Sequence, residues 1–181
     1  VTGKAGLADT RWSLNAAWLD YDRDGDLDLF VANYLEYDEG KFRSFYAATG
    51  YPGPLSYNGV SSTLYRNNGN GTFTDVSKQA GVEKAGRAMS AVAADLNNDG
   101  WPDLFVANDT QPNKLYRNNR NGTFAEEGIP AGVAYSEDGV ARGAMGVDAA
   151  DYDRSGRPHL LVGNFSNQML GLYHNEGKNL F

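Results

Sequence analysis

Asp20-Tyr21-Asp22-Arg23-Asp24-Gly25-Asp26-Leu27-Asp28, running straight into Leu29-Phe30-Val31-Ala32-Asn33, reads as a ring of oxygens feeding a strand. Carboxylates at the first, third, fifth and ninth positions, Asp20, Asp22, Asp24 and Asp28, converge if the backbone curls tightly, and Gly25 at the sixth permits the curl. Asp26, at the seventh, offers its backbone carbonyl. Carboxylates packed this closely repel one another unless a hard cation sits among them, and a hard cation with a flexible oxygen shell is usually calcium. The pattern returns as Asp95-Leu96-Asn97-Asn98-Asp99-Gly100-Trp101-Pro102-Asp103 before Leu104-Phe105-Val106-Ala107-Asn108. It returns again, eroded, as Asp151-Tyr152-Asp153-Arg154-Ser155-Gly156-Arg157-Pro158-His159 before Leu160-Leu161-Val162-Gly163-Asn164. An EF-hand needs a bidentate Glu at loop position 12. That place holds Val31, Val106 and Val162, and the apolar, β-branched residues there favour a strand. These are not EF-hands.

A second unit recurs beside the first. Leu64-Tyr65-Arg66-Asn67-Asn68-Gly69-Asn70-Gly71-Thr72-Phe73 matches Leu115-Tyr116-Arg117-Asn118-Asn119-Arg120-Asn121-Gly122-Thr123-Phe124, and Leu172-Tyr173-His174-Asn175 runs on to Phe181. Asn-Gly between apolar segments predicts a type I′ hairpin turn, with positive φ at both central residues. Each repeat then holds a first strand, the acidic loop, a second strand and a hairpin supplying two more. Such four-stranded antiparallel repeats read as β-propeller blades. The first strands, Ser13 to Leu19, Met89 to Ala94 and Ala144 to Ala150, are rich in Ala and Gly, as expected where the innermost strand crowds the axis.

The expected class is therefore all-β, in about three blades. Repeats fall near 8–82 (with an insertion at 34–60), 83–133 and 134–181, within a single propeller segment spanning 1–181. Val1 to Leu7 matches Val76 to Val82, the tail that follows a hairpin, so 1–7 reads as the tail of a preceding repeat. Phe181 matches Phe73 and Phe124, inside a hairpin. Three blades are too few to close the usual ring of about four to eight, so the ring is not closed by this chain alone.

With 181 residues, a net charge of −7 and a pI near 4.7, the chain has enough length for a core and the wrong charge for nucleic acid or anionic membrane surfaces. It has no cysteine, hence no disulfide framework and no thiol chemistry. No apolar run approaches the roughly 18 residues of a membrane span. Calcium at millimolar level outside the cell suits such loops, so the expected location is extracellular or secreted, with the periplasm or a cell surface as variants.

The paired acidic-loop and Leu-Tyr-Arg-Asn-Asn-Gly hairpin motifs, recurring in order over essentially the whole chain, resemble FG-GAP/VCBS repeats. The chain is similar to the branch found in CRTAC/ASPIC-type secreted proteins and, more distantly, to the integrin α-chain head. The resemblance implies a β-propeller with calcium between the first two strands of a blade. It implies Asp20, Asp22, Asp24, Asp28 and the Asp26 carbonyl as ligands in the first loop, and Asp95, Asn97, Asp99, Asp103 and the Trp101 carbonyl in the second. The third loop departs from the pattern at Ser155 and His159. Asp151, Asp153, Ser155 and the Arg157 carbonyl are therefore expected to form a weak or empty site, with His159 as a surface residue. Two calcium sites are expected in all.

The first repeat carries an insertion: the link from Asn33 to Leu64 is about 24 residues longer than its counterpart after Asn108. It holds Tyr34, Tyr37, Phe42, Phe45, Tyr46, Tyr51 and Tyr57, well above the 12% aromatic share of the chain. These aromatics either fold back as a cap on the blade or form a surface for sugar or protein. Arg11, Arg87 and Arg142 either ring an anionic ligand or pair with nearby carboxylates, and Asn33, Asn108 and Asn164 are expected to bond to backbone at strand ends. Four sequons begin at Asn70, Asn108, Asn121 and Asn164. The only histidines, His159 and His174, lie in no nucleophile motif, so the chain is not expected to be an enzyme. The functional expectation is a calcium-binding module for extracellular adhesion, protein–protein interaction or self-assembly into a ring or filament. The alternative is carbohydrate binding, alone or within a polysaccharide-degrading enzyme, through the aromatic insertion.

Overall fold

The computed structural model describes residues 1–38 and 52–181. Phe42, Phe45, Tyr46 and Tyr51 lie outside the described residues. In chain order the strands are β1 (Ser13–Leu19), β2 (Asp28–Asn33), β3 (Val60–Ser61), β4 (Thr63–Asn67), β5 (Phe73–Asp75), β6 (Ala85–Gly86) and β7 (Ala88–Ala94). They continue as β8 (Asp103–Asn108), β9 (Lys114–Asn118), β10 (Phe124–Glu126), β11 (Ala144–Ala150), β12 (His159–Asn164) and β13 (Gly171–Tyr173). A short α-helix, α1 (Ser77–Ala80), follows β5, and a 3-10 turn spans Pro54–Ser56. The sheets are antiparallel with orders β1-β2-β4-β5, β7-β8-β9-β10 and β11-β12-β13, and β3 pairs with β6 as a small clip. This is the expected succession of blades in an all-β, unclosed array.

The three first strands carry the same irregularity, a register shift at Ser13/Asn15, Ala88/Ser90 and Ala144/Gly146. They pack against one another with β7 between β1 and β11, and the Ala91 N–H donates to Asn15 Oδ1 at 3.0 Å. Small side chains allow this approach: Ala91 and Ala93 meet the first blade while Val92 and Ala94 meet the third. The middle blade is buried on both faces. Leu104 and Val106 of β8 enter the first core, with Phe30 and Leu64, whereas Phe105 and Ala107 enter the second, with Leu160 and Val162. That is why β8 reads as a continuous apolar run rather than an alternating one.

The tail 1–7 packs on the outer strand of the first blade, where the Phe73 N–H donates to Ala5 O at 2.7 Å. The same join appears later as Phe181 N–H to Ala131 O at 3.0 Å. Gly6, Gly81 and Gly132 have left-handed φ of 80°, 81° and 82°, and a Cβ on each would press on the carbonyl of Phe73, Phe124 or Phe181. Each repeat's tail thus clasps the hairpin of the next blade.

The hairpin turns differ from the type I′ expectation. Positive φ falls on Gly69 and Gly71, and on Arg120 and Gly122, not on Asn70 or Asn121. The loop closes wider, with the Asn68 N–H donating to Thr72 O at 2.9 Å. Asn70 and Asn121 instead accept from the N–H groups of Thr72 and Thr123 at 3.1 Å, a local Asx bond that competes with the tighter turn.

Candidate metal centres

The three acidic loops share one backbone. The fourth position is left-handed in each, at Arg23, Asn98 and Arg154, as is the sixth, at Gly25, Gly100 and Gly156. This curl lets the N–H of the sixth residue donate to the first carboxylate: Gly25 to Asp20 at 3.2 Å, Gly100 to Asp95 at 2.8 Å and Gly156 to Asp151 at 2.9 Å. The ninth residue opens the second strand and anchors the hairpin. Asp28 Oδ1 accepts from the Asn67 N–H at 2.8 Å, and Asp103 Oδ1 from the Asn118 N–H at 2.8 Å.

In the first loop Asp20, Asp22 and Asp28 converge, each offering an oxygen within 4.8 Å of the others. Asp20 Oδ1 and Asp22 Oδ1 are buried and have no hydrogen-bond partner. Burial raises the Asp28 carboxyl to about 6 in spite of bonds from the Asn67 and Tyr21 N–H groups. Burial, with Asp24 and Asp20 nearby, also raises Asp22. Buried oxygens without donors and carboxyls pushed toward neutrality are what a removable cation would satisfy, so the residues present fit calcium. Asp24 stands at the exposed rim and accepts from the Asp26 N–H at 2.9 Å. The Asp26 side chain is exposed and lies by Gly69, outside the converging set.

The second loop is held differently. Asp95 accepts from the N–H groups of Asp99 and Gly100, and Asn97 donates its side-chain amide to Asp99 Oδ2 at 2.9 Å. Asp99 also accepts from the Trp101 N–H at 2.9 Å and pairs with Arg120 Nη2 at 2.9 Å. Asp103 is fully buried and pairs with Arg117 Nη1 at 2.8 Å. Burial still lifts its carboxyl to about 6, against the opposing pull of the Asn118 N–H and of Arg117.

In the third loop Asp151 and Asp153 both accept from the Ser155 N–H, and the Arg157 side chain turns away to Asn175 O at 2.9 Å. His159 is not the surface residue expected. Its exposure is 2%, because it occupies the ninth position and anchors the hairpin as Asp28 and Asp103 do, taking the Asn175 N–H on Nδ1 at 2.9 Å. Its Nε2 meets Asp153 Oδ1 at 3.0 Å, and His174 stacks on it at 4.4 Å.

The profile of the FG-GAP-like repeat matches residues 45–106 and 95–162. The chain belongs to the FG-GAP-like repeat family. Its curated relatives include cartilage acidic protein 1 of Mus musculus, 29% identical over 89% of this chain, and that of Homo sapiens, 26% identical over 89%. The chain spans 22% of the length of each. Among solved structures, an Agrocybe aegerita lectin described by its recognition of non-reducing terminal N-acetylglucosamine aligns with a TM-score of 0.38 and 20% identity, over 95% of this chain and 51% of that one.

Within these FG-GAP-like repeats, sequence reading missed a set of asparagines. Asn118 Nδ2 donates to Tyr21 O of the preceding loop at 2.8 Å, and Asn175 Nδ2 to Leu96 O at 2.7 Å, both buried. Their recurrence after Leu-Tyr-Arg or Leu-Tyr-His was the available signal. The strand-end asparagines bond to backbone as expected: Asn33 to Ser61 O, Asn108 to Pro112 O and Asn164 to Met169 O. Arg11 pairs with Asp9 and Arg142 lies within 4 Å of Glu137 and Asp138, while Arg87 donates to Tyr57 O. Of the insertion's aromatics, Tyr34 and Tyr37 pack edge-on against Trp12, and Tyr57 packs on Tyr37. With Trp12 these three form one aromatic cluster. The Asn108 sequon is closed by full burial of its side chain.

Proposed function

We propose that this chain is a non-enzymatic, calcium-binding segment of an extracellular β-propeller, serving adhesion, protein–protein interaction or assembly. The observation that carries the calcium reading is the pair of buried, donorless oxygens on Asp20 and Asp22, converging with buried Asp28. Asp20, Asp22, Asp24, Asp28 and the Asp26 carbonyl would hold the ion, which supplies the charge that lets these carboxylates lie together. Both histidines support a non-catalytic reading, since His159 is engaged by Asn175 and Asp153 and His174 faces Tyr152 and Asp153. The extracellular reading is supported by relatives named for cartilage, a tissue rich in extracellular matrix.

The test is thermal unfolding of the full chain in millimolar calcium and in chelator, alongside Asp20→Asn/Asp22→Asn. Calcium should raise the midpoint of the wild type and leave that of the variant unmoved. Identical midpoints for the wild type in both buffers would overturn the calcium reading. Light scattering in the same buffers reads assembly: a calcium-dependent rise above about 20 kDa supports it, and a monomer at all concentrations removes it.

A second reading, glycan binding, is favoured by a cleft of about 410 Å³ between the insertion and the third blade. Tyr34, Leu55 and Phe165 offer apolar faces there, beside Asp109, Thr110 and Gln168. Binding on a glycan array that Phe165→Ala abolishes would support it, and an array blank for the wild type would sink it.

A further inference from the structure

Three loops with one backbone differ in what meets their carboxylates. We infer that this chain takes up a single divalent ion, at the first loop, because side chains of the chain itself already occupy the carboxylates of the other two, guanidinium groups in the second loop and an imidazole N–H in the third. The inference rests on the calcium reading of the first loop.

The difference lies in the hairpin that overhangs each loop. In the first blade the hairpin residues are Arg66 and Gly69; Gly69 lies against the Asp26 side chain, and Arg66 acts on Asp22 through its charge alone, making no ion pair among the described residues. In the second blade the matching residues are Arg117 and Arg120. Arg120 donates to Asp99 Oδ2 through both Nη2, at 2.9 Å, and Nε, at 3.3 Å. Arg117 takes Asp103 Oδ2 at 2.8 Å, on the oxygen that also accepts from the Leu96 N–H. Asp28 Oδ2 accepts from the Tyr21 N–H alone and keeps a lone pair free. The second loop therefore has its fifth and ninth carboxylates occupied by guanidinium groups, one of them buried.

Glu127 explains why Arg117 turns inward while Arg66 does not. Its carboxylate lies 3.5 Å from Arg117 Nε and braces the guanidinium against Asp103, and Val76 stands at the same place in the first blade.

The third loop needs no ion for another reason. Nδ1 of His159 faces a backbone N–H, so its lone pair is bare and the ring proton sits on Nε2, which donates to Asp153 Oδ1. That N–H points where a cation would sit. Binding a metal through Nε2 would put a proton on Nδ1, directly against the Asn175 N–H, which argues against a transition-metal site at Asp153, His159 and His174 despite their proximity.

Isothermal titration of calcium into the metal-stripped chain tests this. One ion should bind, lost in Asp20→Asn/Asp22→Asn and retained in Asp99→Asn. Arg120→Gly places the first blade's residue at a backbone φ of 62°, which glycine accepts without strain. It frees Asp99 and should bring a second, weaker uptake into the isotherm, and Arg117→Gln/Arg120→Gly should raise the count from one ion to two at full strength. Two ions in the wild type, one of them lost in Asp99→Asn, would overturn the inference and leave the calcium reading standing. So would a single ion in Arg117→Gln/Arg120→Gly with a cooperative melt. If that double variant does not fold, Arg120→Gly alone decides, and an unchanged isotherm overturns the inference. No uptake by the wild type would overturn the calcium reading and this inference together.

Discussion

At Asp28 and His159 the same position solves the same problem with different chemistry. Both accept a hairpin N–H, but the carboxylate brings a buried charge and the imidazole brings a donor. Replacing His159→Asp should cost about 1–3 kcal/mol in chelator, the scale for leaving a buried polar group unmatched, and calcium should return much of it. Denaturant unfolding in the two buffers reads both numbers. Asp28 also sets a pH dependence. Its folded carboxyl sits at about 6, above its ordinary value, so without calcium the folded state binds the proton more tightly than the unfolded state. Its ionisation therefore removes stability as pH rises from about 4 to about 6. Midpoints measured in chelator should fall less steeply across that window for Asp28→Asn than for the wild type. Asp9 runs the other way. Burial alone would raise its carboxyl, but bonds from Arg11 outweigh burial and hold it well below its ordinary value, so it stabilises above about pH 4 and that contribution fades on acidification.

Besides the packed first strands and the β3–β6 clip, two kinds of contact join the blades. Buried asparagine amides reach from a hairpin to the loop of the blade before it, and tail glycines clasp the hairpin of the blade after. Asn118→Ala strips the buried Tyr21 carbonyl of its donor and should cost about 1–3 kcal/mol, measured by denaturant unfolding. Gly81→Ala meets both a left-handed φ and the Phe124 carbonyl at 3.1 Å, and should cost about 1–2 kcal/mol. The motif spacing made the hairpins legible. It did not reveal the turn type, because an Asn side chain that caps its neighbour's N–H looks, in sequence, like one that enters the left-handed region.

Across the whole molecule the repeat makes its outer faces comparable with its inner ones. Leu161 and Leu172 of the third blade are 47% and 56% exposed, while their counterparts Phe105 and Leu115 in the second blade are 0% exposed. The first blade exposes Leu14 and Trp18 on the opposite side of the array. Leu161→Gln/Leu172→Gln should change monomer stability by no more than about 0.5 kcal/mol per site, as surface positions do. Phe105→Ala should cost about 3–5 kcal/mol. If copies associate through these faces, the double variant lowers the mass read by light scattering. An unchanged mass places assembly elsewhere.

What the sequence determined by itself was periodic: the acidic loop feeding an apolar strand, the hairpin, and the small-residue first strand, because backbone conformation and blade order follow from spacing and residue size. It also placed Asp20, Asp22 and Asp28 together, since one tight loop brings them within reach. What tertiary structure decided was the company each loop keeps. Arg117 and Arg120 reach Asp103 and Asp99 only when the hairpin folds over its loop, and His159 is buried only because the Asn175 N–H comes to meet it. The charge count of a loop is local, but the groups that meet it come from residues some 14 to 21 positions away, and no spacing within the loop encodes them.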